Sequence, residues 1–235
     1  ERDLNFFGRV YNTKFSDAVE LTTDKKSREV ITYNMTLDAD LQLNGALSFL
    51  RNEYAALDFR NKYKSFSGQE AYLENMLEEF PGLRIRNANI NNIDSVYKPV
   101  KDQYDITLRN AVEETNGNFY LYPMLLHRLK ENPFKIDKRK YPIDFIHKFE
   151  NVYSVTILIP ENFEVVSYPE AVSIGLPEKA AYFLYQVNVL GSSIQFNFKM
   201  GINKTVFTEE EYSSIREFYN QILAKHAEPV ILKRK

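Results

Sequence analysis

The stretch FLYQVNVLGSSIQFNFKMG, residues 183–201, decides the fold class of this chain. Apolar side chains occupy every second position on both sides of Gly191-Ser192: Phe183, Tyr185, Val187, Val189, Ile194, Phe196, Phe198 and Met200. A period of two is typical of a strand with one buried face, because successive side chains point to opposite sides. A Gly-Ser pair between two such runs predicts a tight antiparallel hairpin.

A second hairpin is predicted upstream. Two more runs alternate in the same way, with Ile31, Tyr33, Met35 and Leu37 in the first and Leu41, Leu43, Leu47 and Phe49 in the second. Asp38-Ala39-Asp40 between them has the composition of a tight turn. Gly45 interrupts the second run, which indicates a bulge or the close approach of another backbone.

Apolar residues at helical spacing predict three helices. The first covers about Glu53–Lys64, and the second is opened by a capping box of Ser67 and Glu70. A second box, Thr208 with Glu211, opens a third helix that runs to about residue 225. Further strands are predicted near residues 83–90, 100–108, 119–125, 153–159 and 230–232.

Consecutive strands with short turns and few helices favour an α+β fold with mainly antiparallel β structure. The charged stretch 129–140 has the composition of a connector. We therefore expect two sheet-based units. Residues 1–130 hold a hairpin, two helices and further strands, and residues 131–235 form a β-sandwich-like domain with one long helix.

Charge and composition exclude several classes of protein. The formal net charge is −2, and neither half has the basic excess that binding to nucleic-acid phosphates requires. No apolar run reaches the roughly 18 residues of a membrane span. The absence of cysteine excludes disulfides, thiolate zinc sites and a cysteine nucleophile. Because the chain begins at Glu1 without a signal peptide, we expect a fragment whose signal peptide lies in the missing N-terminal part of a longer precursor.

We predict no catalytic residue, no bound metal and no cofactor. A Ser-His-Asp triad would need one of His127, His147 or His226, and the sequence has no G-x-S-x-G motif. Asp38-x-Asp40 lacks the later ligands of a calcium-binding loop. The run 209–211 of glutamates is expected in a first helical turn, where acids suit the helix dipole.

Five residues are candidates for binding or for joining the two units. Tyr120 and Tyr122 share one strand face and could stack on sugars or peptides, although half-buried strand tyrosines are the simpler interpretation. Arg139 and Asp144 could pair across the connector, or they could be two separate surface charges. Arg60 is a candidate for a structural ion pair.

The N-terminal segment is unusually apolar. Within eleven residues it contains Leu4, Phe6, Phe7, Val10 and Tyr11. A terminus of this composition buries poorly alone, so we expect it to dock on another part of the protein. We interpret residues 1–11 as an inter-domain joint.

The order of several short motifs resembles that of a known family. The chain has an R-x-x-P-x-D-F pattern at 139–145, VTILIP at 155–160, EEY at 210–212 and VILK at 230–233. This succession resembles the C-terminal domain of unknown function that follows the transglutaminase-like core in large bacterial cell-envelope proteins. Upstream, LDADLQLNG at 37–45 and YAALDFR at 54–60 are similar to the segment that links that core to the domain. LNFFGRV at 4–10 is similar to the final stretch of the core.

The resemblance implies a parent protein with a papain-like Cys-His-Asp core upstream, located in the periplasm or at the surface of a bacterium. It implies that this chain is a non-catalytic accessory or interaction module that positions that core or its partner. The alternative is an independent peptide- or glycan-binding β module that uses exposed tyrosines.

Three structural observations distinguish these readings. An apolar patch near residues 1–10 would favour the accessory module, and a flat platform of exposed tyrosines would favour the binding module. A large pocket that holds His127 or His147 beside a serine and an acid would favour a hydrolase instead.

Overall fold

The computed structural model of the chain describes residues 6–235. The strands are β1 (Phe6–Tyr11), β2 (Ser16–Leu21), β3 (Ser27–Leu37), β4 (Leu43–Asn52), β5 (Leu83–Asn91), β6 (Val100–Leu108), β7 (Val112–Thr115), β8 (Asn118–Leu121), β9 (Ile143–Asp144), β10 (Phe149–Leu158), β11 (Phe163–Ser167), β12 (Val172–Gly175), β13 (Ala181–Leu190), β14 (Ser193–Ile202), β15 (Val206–Phe207) and β16 (Val230–Arg234). The α-helices are α1 (Glu53–Lys64), α2 (Gln69–Glu79) and α3 (Tyr212–His226). Within residues 6–235, no helix is long and apolar enough to cross a membrane.

Eight strands form the main sheet, in the order β12-β13-β14-β10-β3-β4-β6-β5. A smaller sheet has the order β11-β16-β8-β7, while β1 pairs with β2 and β9 pairs with β15. The pairing is antiparallel except between β3 and β10, which run parallel. The predicted α+β class with mainly antiparallel strands is confirmed.

Both predicted hairpins are confirmed. β13 and β14 pair along their whole length. Ala181 lies opposite Ile202 at one end and Leu190 lies opposite Ser193 at the other, and Gly191 and Ser192 form the turn. Gly191 has a φ of +59°, a conformation that glycine adopts without a steric penalty.

The β3–β4 turn is held by Asp38, whose carboxylate accepts the backbone N–H groups of Asp40 and Gln42 at 2.9 Å each. A Cβ atom on Gly45 would lie 2.0 Å from the carbonyl oxygen of Asn34. The glycine therefore marks a close backbone approach, one of the two expected reasons for it.

The main sheet has one apolar and one polar face. Most residues predicted to point inward are buried, including Ile31, Tyr33, Met35, Leu47, Val155, Ile157, Phe183, Tyr185, Phe196 and Phe198, whereas Leu41 and Val189 are half-buried. Helices α1, α2 and α3 and the smaller sheet contribute to the same continuous core. The opposite face carries polar side chains such as Asn34, Gln103 and Asn197.

The predicted division after residue 130 does not separate two sheets. β10 lies between β3 and β14, so strands from residues 27–108 and from residues 149–202 form a single sheet. The smaller sheet also combines β7 and β8 with β11 and β16. Residues 129–140 therefore connect strands that belong to the same two sheets.

The two predicted capping boxes have different outcomes. Helix α2 begins after Gly68 without a side-chain cap, so the predicted Ser67–Glu70 box is wrong. At α3, the Glu211 carboxylate accepts the Thr208 N–H at 2.9 Å, which is one arm of the predicted box. The sequence reading also missed β1, β2, β7, β9, β11, β12 and β15.

Candidate functional site

A pocket of about 630 Å³ lies between α1, α2 and the apolar face of the main sheet. Its walls are largely aromatic and apolar, and they include Phe49, Phe59, Met76, Phe80 and Phe149. The short 3-10 turn Leu125–His127 and the segment before β10 complete the lining. Pockets of this size and character are common ligand sites in proteins.

Arg51 forms the centre of a buried charge network in this pocket. Its guanidinium lies 4.2 Å from the ring centroids of both Phe49 and Phe59, so it is held between two aromatic faces. Its Nε atom donates to Glu29, which is its direct neighbour on β3, at 2.5 Å. Its Nη1 atom donates to Asp102. One cation is therefore shared between two carboxylates.

Asp102 is the deeper of the two acids. Burial raises the pKa of its carboxyl to about 6, although Arg51 and the Tyr104 hydroxyl both favour the charged form. The Tyr104 hydroxyl donates to Asp102 Oδ2 at 2.9 Å. At neutral pH, Asp102 is therefore mostly ionised and supported by two donors.

His127 lies among aromatic rings. The ring centroids of Tyr33, Phe49 and Tyr153 are 5.9, 5.8 and 5.3 Å from that of His127. Burial lowers the pKa of His127 to about 4, so the imidazole is neutral at pH 7. Its Nε2 atom is shielded from solvent and has no hydrogen-bond partner within residues 6–235.

The residue types named above as favouring a hydrolase do line the pocket, since Ser27, Asp58, His127 and His147 are all present. The Ser27 hydroxyl, however, accepts the N–H of Ala55 at 2.8 Å. Ser27, the first residue of β3, therefore caps the start of α1. His147 stacks on Tyr54 with ring centroids 4.3 Å apart. These contacts give Ser27 and His147 structural roles in holding α1 against the sheet.

Arg60 forms no ion pair with any residue from 6 to 235, so the predicted ion pair is not found there. The buried guanidinium instead donates to the backbone carbonyl oxygens of Asn92, Ile93, Ser95 and Lys98 at 2.7 to 3.1 Å. An arginine offers five N–H donors in a fixed fork, which suits a cluster of carbonyls. Arg60 therefore shapes the loop between β5 and β6.

Arg139 and Asp144 are not paired, so the predicted clamp is wrong. Arg139 donates to the carbonyl oxygen of Tyr141 at 3.0 Å, and Asp144 accepts the N–H of Ile146 at 2.7 Å. Each charged group forms a hydrogen bond with the backbone two residues away. This agrees with the other interpretation, in which Arg139 and Asp144 are two separate charges.

The tyrosines considered for binding are not presented as a flat platform. Tyr120 and Tyr122 are half-buried, and the Arg128 guanidinium stacks 3.9 Å above the ring of Tyr122. Tyr182 lies on the polar face of the main sheet, where its hydroxyl donates to Glu150. Half-burial and the covering Arg128 fit the simpler interpretation of Tyr120 and Tyr122 as half-buried strand residues.

The N-terminal hairpin, defined as β1, β2 and their turn (residues 6–21), exposes large apolar groups. Phe7 is 70% exposed and Tyr11 is 78% exposed, and Val10, Phe15 and Val19 are also exposed. Residues 1–5 of the expected inter-domain joint lie outside the described residues, as does the Phe6 side chain. The rest of that joint forms β1.

The sequence reading missed the central residues of the pocket. Glu29, Arg51 and Asp102 occupy inward positions of β3, β4 and β6, where the alternation otherwise places apolar side chains. A charged residue at an inward position is costly unless it is paired. Charged residues at inward strand positions were therefore the signal in the sequence that could have revealed the network.

Residues 117–232 match the model of a family described as "Domain of Unknown Function with solved-structure structure (DUF3858)". The match covers the region from the β7–β8 turn into β16, just under half of the chain. The expected domain of unknown function in the C-terminal part is confirmed.

No curated protein matches the sequence. A crystal structure of a "putative protease" from Parabacteroides distasonis ATCC 8503 is similar at 16% identity and a TM-score of 0.37. The similarity covers 42% of this chain and 19% of that one, so this chain spans less than a fifth of the length of the larger protein. The family match connects residues 117–232 to a domain of unknown function.

Proposed function

We propose that the chain is a non-catalytic accessory module of a larger protein and that it docks on another part of that protein through the N-terminal hairpin. The observation that carries this proposal is the exposure of five large apolar side chains on one short two-stranded unit. Phe7 and Tyr11 lie on one face of the hairpin and Val10 and Val19 on the other, and exposed large apolar groups on so small a unit favour an interaction site.

The isolated hairpin has little to stabilise it. Two-stranded hairpins are marginally stable in water unless they pack against other structure. Both strands of this one expose most of their side chains to solvent. Docking would bury Phe7 and Tyr11 and would fix the hairpin relative to the main sheet.

The partner that we propose is a transglutaminase-like core in the same polypeptide, in the periplasm or at the surface of a bacterium. The order of motifs along the chain supports this proposal, because it resembles the region that follows such a core. The match of residues 117–232 to a domain of unknown function agrees with that placement.

The pocket supports a non-catalytic function. Ser27 caps α1, His147 stacks on Tyr54, and His127 lies among aromatic rings. A nucleophile needs a base that accepts its proton and a third group that orients the base. Ser27 is engaged in capping a helix and His127 in aromatic packing, which supports a non-catalytic function.

The test is to replace Phe7 and Tyr11 by serine in the full-length protein that contains this chain. If the hairpin is docked, we expect limited proteolysis within residues 6–21 to become faster in the variant. Tyr97→Ser is the matched control, because Tyr97 is fully exposed and lies in the β5–β6 loop. Cleavage at the same rate in wild type and variant would contradict docking through the hairpin.

A further inference from the structure

The backbone groups at the two edges of the N-terminal hairpin follow from the geometry of its turn. The Asn12 N–H donates to the Phe15 carbonyl at 3.0 Å, so these two residues form a hydrogen-bonded pair. Hydrogen-bonded and non-hydrogen-bonded pairs alternate along an antiparallel ribbon. Three pairs of the hairpin are therefore non-hydrogen-bonded: Tyr11 with Ser16, Arg9 with Ala18, and Phe7 with Glu20. The N–H and C=O groups of these six residues point outward, to the free edge of their own strand.

The two edges differ in how open they are. On β2, the Asp17 carboxylate accepts the Ala18 N–H at 2.8 Å, which occupies the central outward donor of that strand. On β1, the outward N–H groups of Phe7, Arg9 and Tyr11 have no partner among residues 6–235. A row of unpaired donors and acceptors on a strand edge is a template for pairing with another strand.

Arg9 determines which charge a strand paired with β1 would carry. It lies between Phe7 and Tyr11 on one face of the hairpin. Within residues 6–235, its guanidinium has the Ser16 hydroxyl as partner, at 2.6 Å, and no carboxylate. A strand with an acidic side chain opposite Arg9 and apolar side chains on either side of it would match this face. The carboxylates on β2 would repel such a strand, so charge also favours the β1 edge.

The distribution of apolar side chains agrees with pairing at an edge. Phe7 and Tyr11 are exposed on one face of the hairpin, and Val10 and Val19 are exposed on the other. Packing of a single face against a partner would leave the other face in water. A ribbon that extends a sheet between two layers of a domain has both of its faces covered.

From these observations we infer that the hairpin docks by strand addition, in which the β1 edge pairs with an edge strand of a sheet in the larger protein. The inference rests on the proposed function, because it specifies how the hairpin docks. The matching edge strand carries an acidic side chain between two apolar side chains on one face.

The test is hydrogen exchange resolved to single amides, in this chain alone and in the full-length protein. Strand addition places the Phe7, Arg9 and Tyr11 amides in new hydrogen bonds. We therefore expect their exchange to become slower by at least about tenfold in the full-length protein. Ser16 and Glu20, which point their amides to the β2 edge, should exchange at the same rate in both proteins.

The same measurement separates this inference from the proposed function. The Val10 and Val19 amides point into the hairpin, so docking through a face would slow them without a change at Phe7, Arg9 and Tyr11. That result would overturn strand addition and leave docking intact, whereas unchanged exchange throughout the hairpin would overturn both. Slow exchange of the three β1 amides in the chain alone, lost on dilution, would identify a second copy as the partner and would also overturn the inference.

Two proline variants of the full-length protein test the edge directly. Proline has no N–H, so Arg9→Pro removes the central outward donor of β1. Ala18→Pro is the matched control, because Ala18 lies opposite Arg9 and points its N–H to the other edge. We expect proteolysis within residues 6–21 to become faster in Arg9→Pro and to stay unchanged in Ala18→Pro. Arg9→Gln, which keeps the N–H and removes the charge, should have a smaller effect than Arg9→Pro. Equal cleavage rates in the two proline variants would contradict pairing through β1.

Discussion

Arg51 shows how one residue can determine the interior of this fold. Its guanidinium fills the space between a strand ring, Phe49, and a helix ring, Phe59, and it neutralises the buried Asp102. Alternation in the sequence identifies the inward positions of β4, but it does not identify which charges meet there. The pairing partners lie 22 and 51 residues away along the chain, so no local pattern contains them.

Arg51→Met should therefore be strongly destabilising. The substitution keeps an apolar stem but leaves Asp102 buried without its cation, and breaking a buried pair in this way costs about 3–5 kcal/mol. Lys62→Met is the matched control, because Lys62 forms an exposed pair with Glu79 that contributes about 1 kcal/mol or less. Urea unfolding of both variants measures the difference. Similar losses in the two variants would show that the Arg51 network does not stabilise the fold.

His226 supplies a pH-dependent contribution to stability. Its Nδ1 accepts the Leu129 N–H at 3.0 Å, so the ring is neutral and its proton lies on Nε2. Burial, with a smaller effect of Arg128, lowers the pKa of His226 from 6.5 to about 4. A lowered pKa means that the stabilisation is complete above pH 6.5 and is lost as the pH falls through 4.

The size of this effect follows from the shift. Because of His226, the free energy of unfolding falls by about 3 kcal/mol from pH 7 to pH 4, and His127 changes it in the same direction. Asp102 acts in the opposite direction, because its raised pKa favours the folded state as the pH falls from about 6.

His226→Gln should flatten the dependence of the unfolding free energy on pH between 7 and 4. Denaturant titrations at several pH values compare the slopes of wild type and variant, with the stability of each at pH 7 as reference. The same slope in both proteins would mean that His226 has an ordinary pKa in the folded state.

The strands of this protein differ in how well the sequence predicts them. β3, β4, β13 and β14 each bury one face only, so a period of two appears directly in the residues. β2 has exposed side chains along nearly its whole length, and hence no alternation to detect. The parallel pairing of β3 with β10 joins residues more than 100 positions apart, and strand patterns alone do not specify which edges meet.

Phe196 tests the best-predicted element. It lies at the centre of β14, is 1% exposed and faces Val155 and Val187 on the neighbouring strands. Phe196→Ala should lower the free energy of unfolding by about 3–5 kcal/mol, as removal of a buried ring does. Asn197→Ala, the next residue on the exposed polar face, should change it by about 0.5 kcal/mol or less. Equal denaturation midpoints for the two variants would contradict the assignment of faces.

At the scale of the whole molecule, the two expected units are joined by a shared sheet. β10 supplies hydrogen bonds to β3 on one edge and to β14 on the other, so both halves depend on its placement. The N-terminal hairpin differs from this body, since β1 and β2 pair only with each other among the strands described. Its large apolar side chains Phe7, Val10, Tyr11, Phe15 and Val19 are exposed.

The most direct test is amide hydrogen exchange of the N-terminal hairpin in two proteins: this chain alone, and the full-length protein of which we propose that it is a module. Docking predicts that exchange within residues 7–21 becomes slower in the full-length protein, while exchange in β13 and β14 stays the same. Equally fast exchange of the hairpin in both proteins would contradict the claim that it docks, and the accessory module would lose its main structural support.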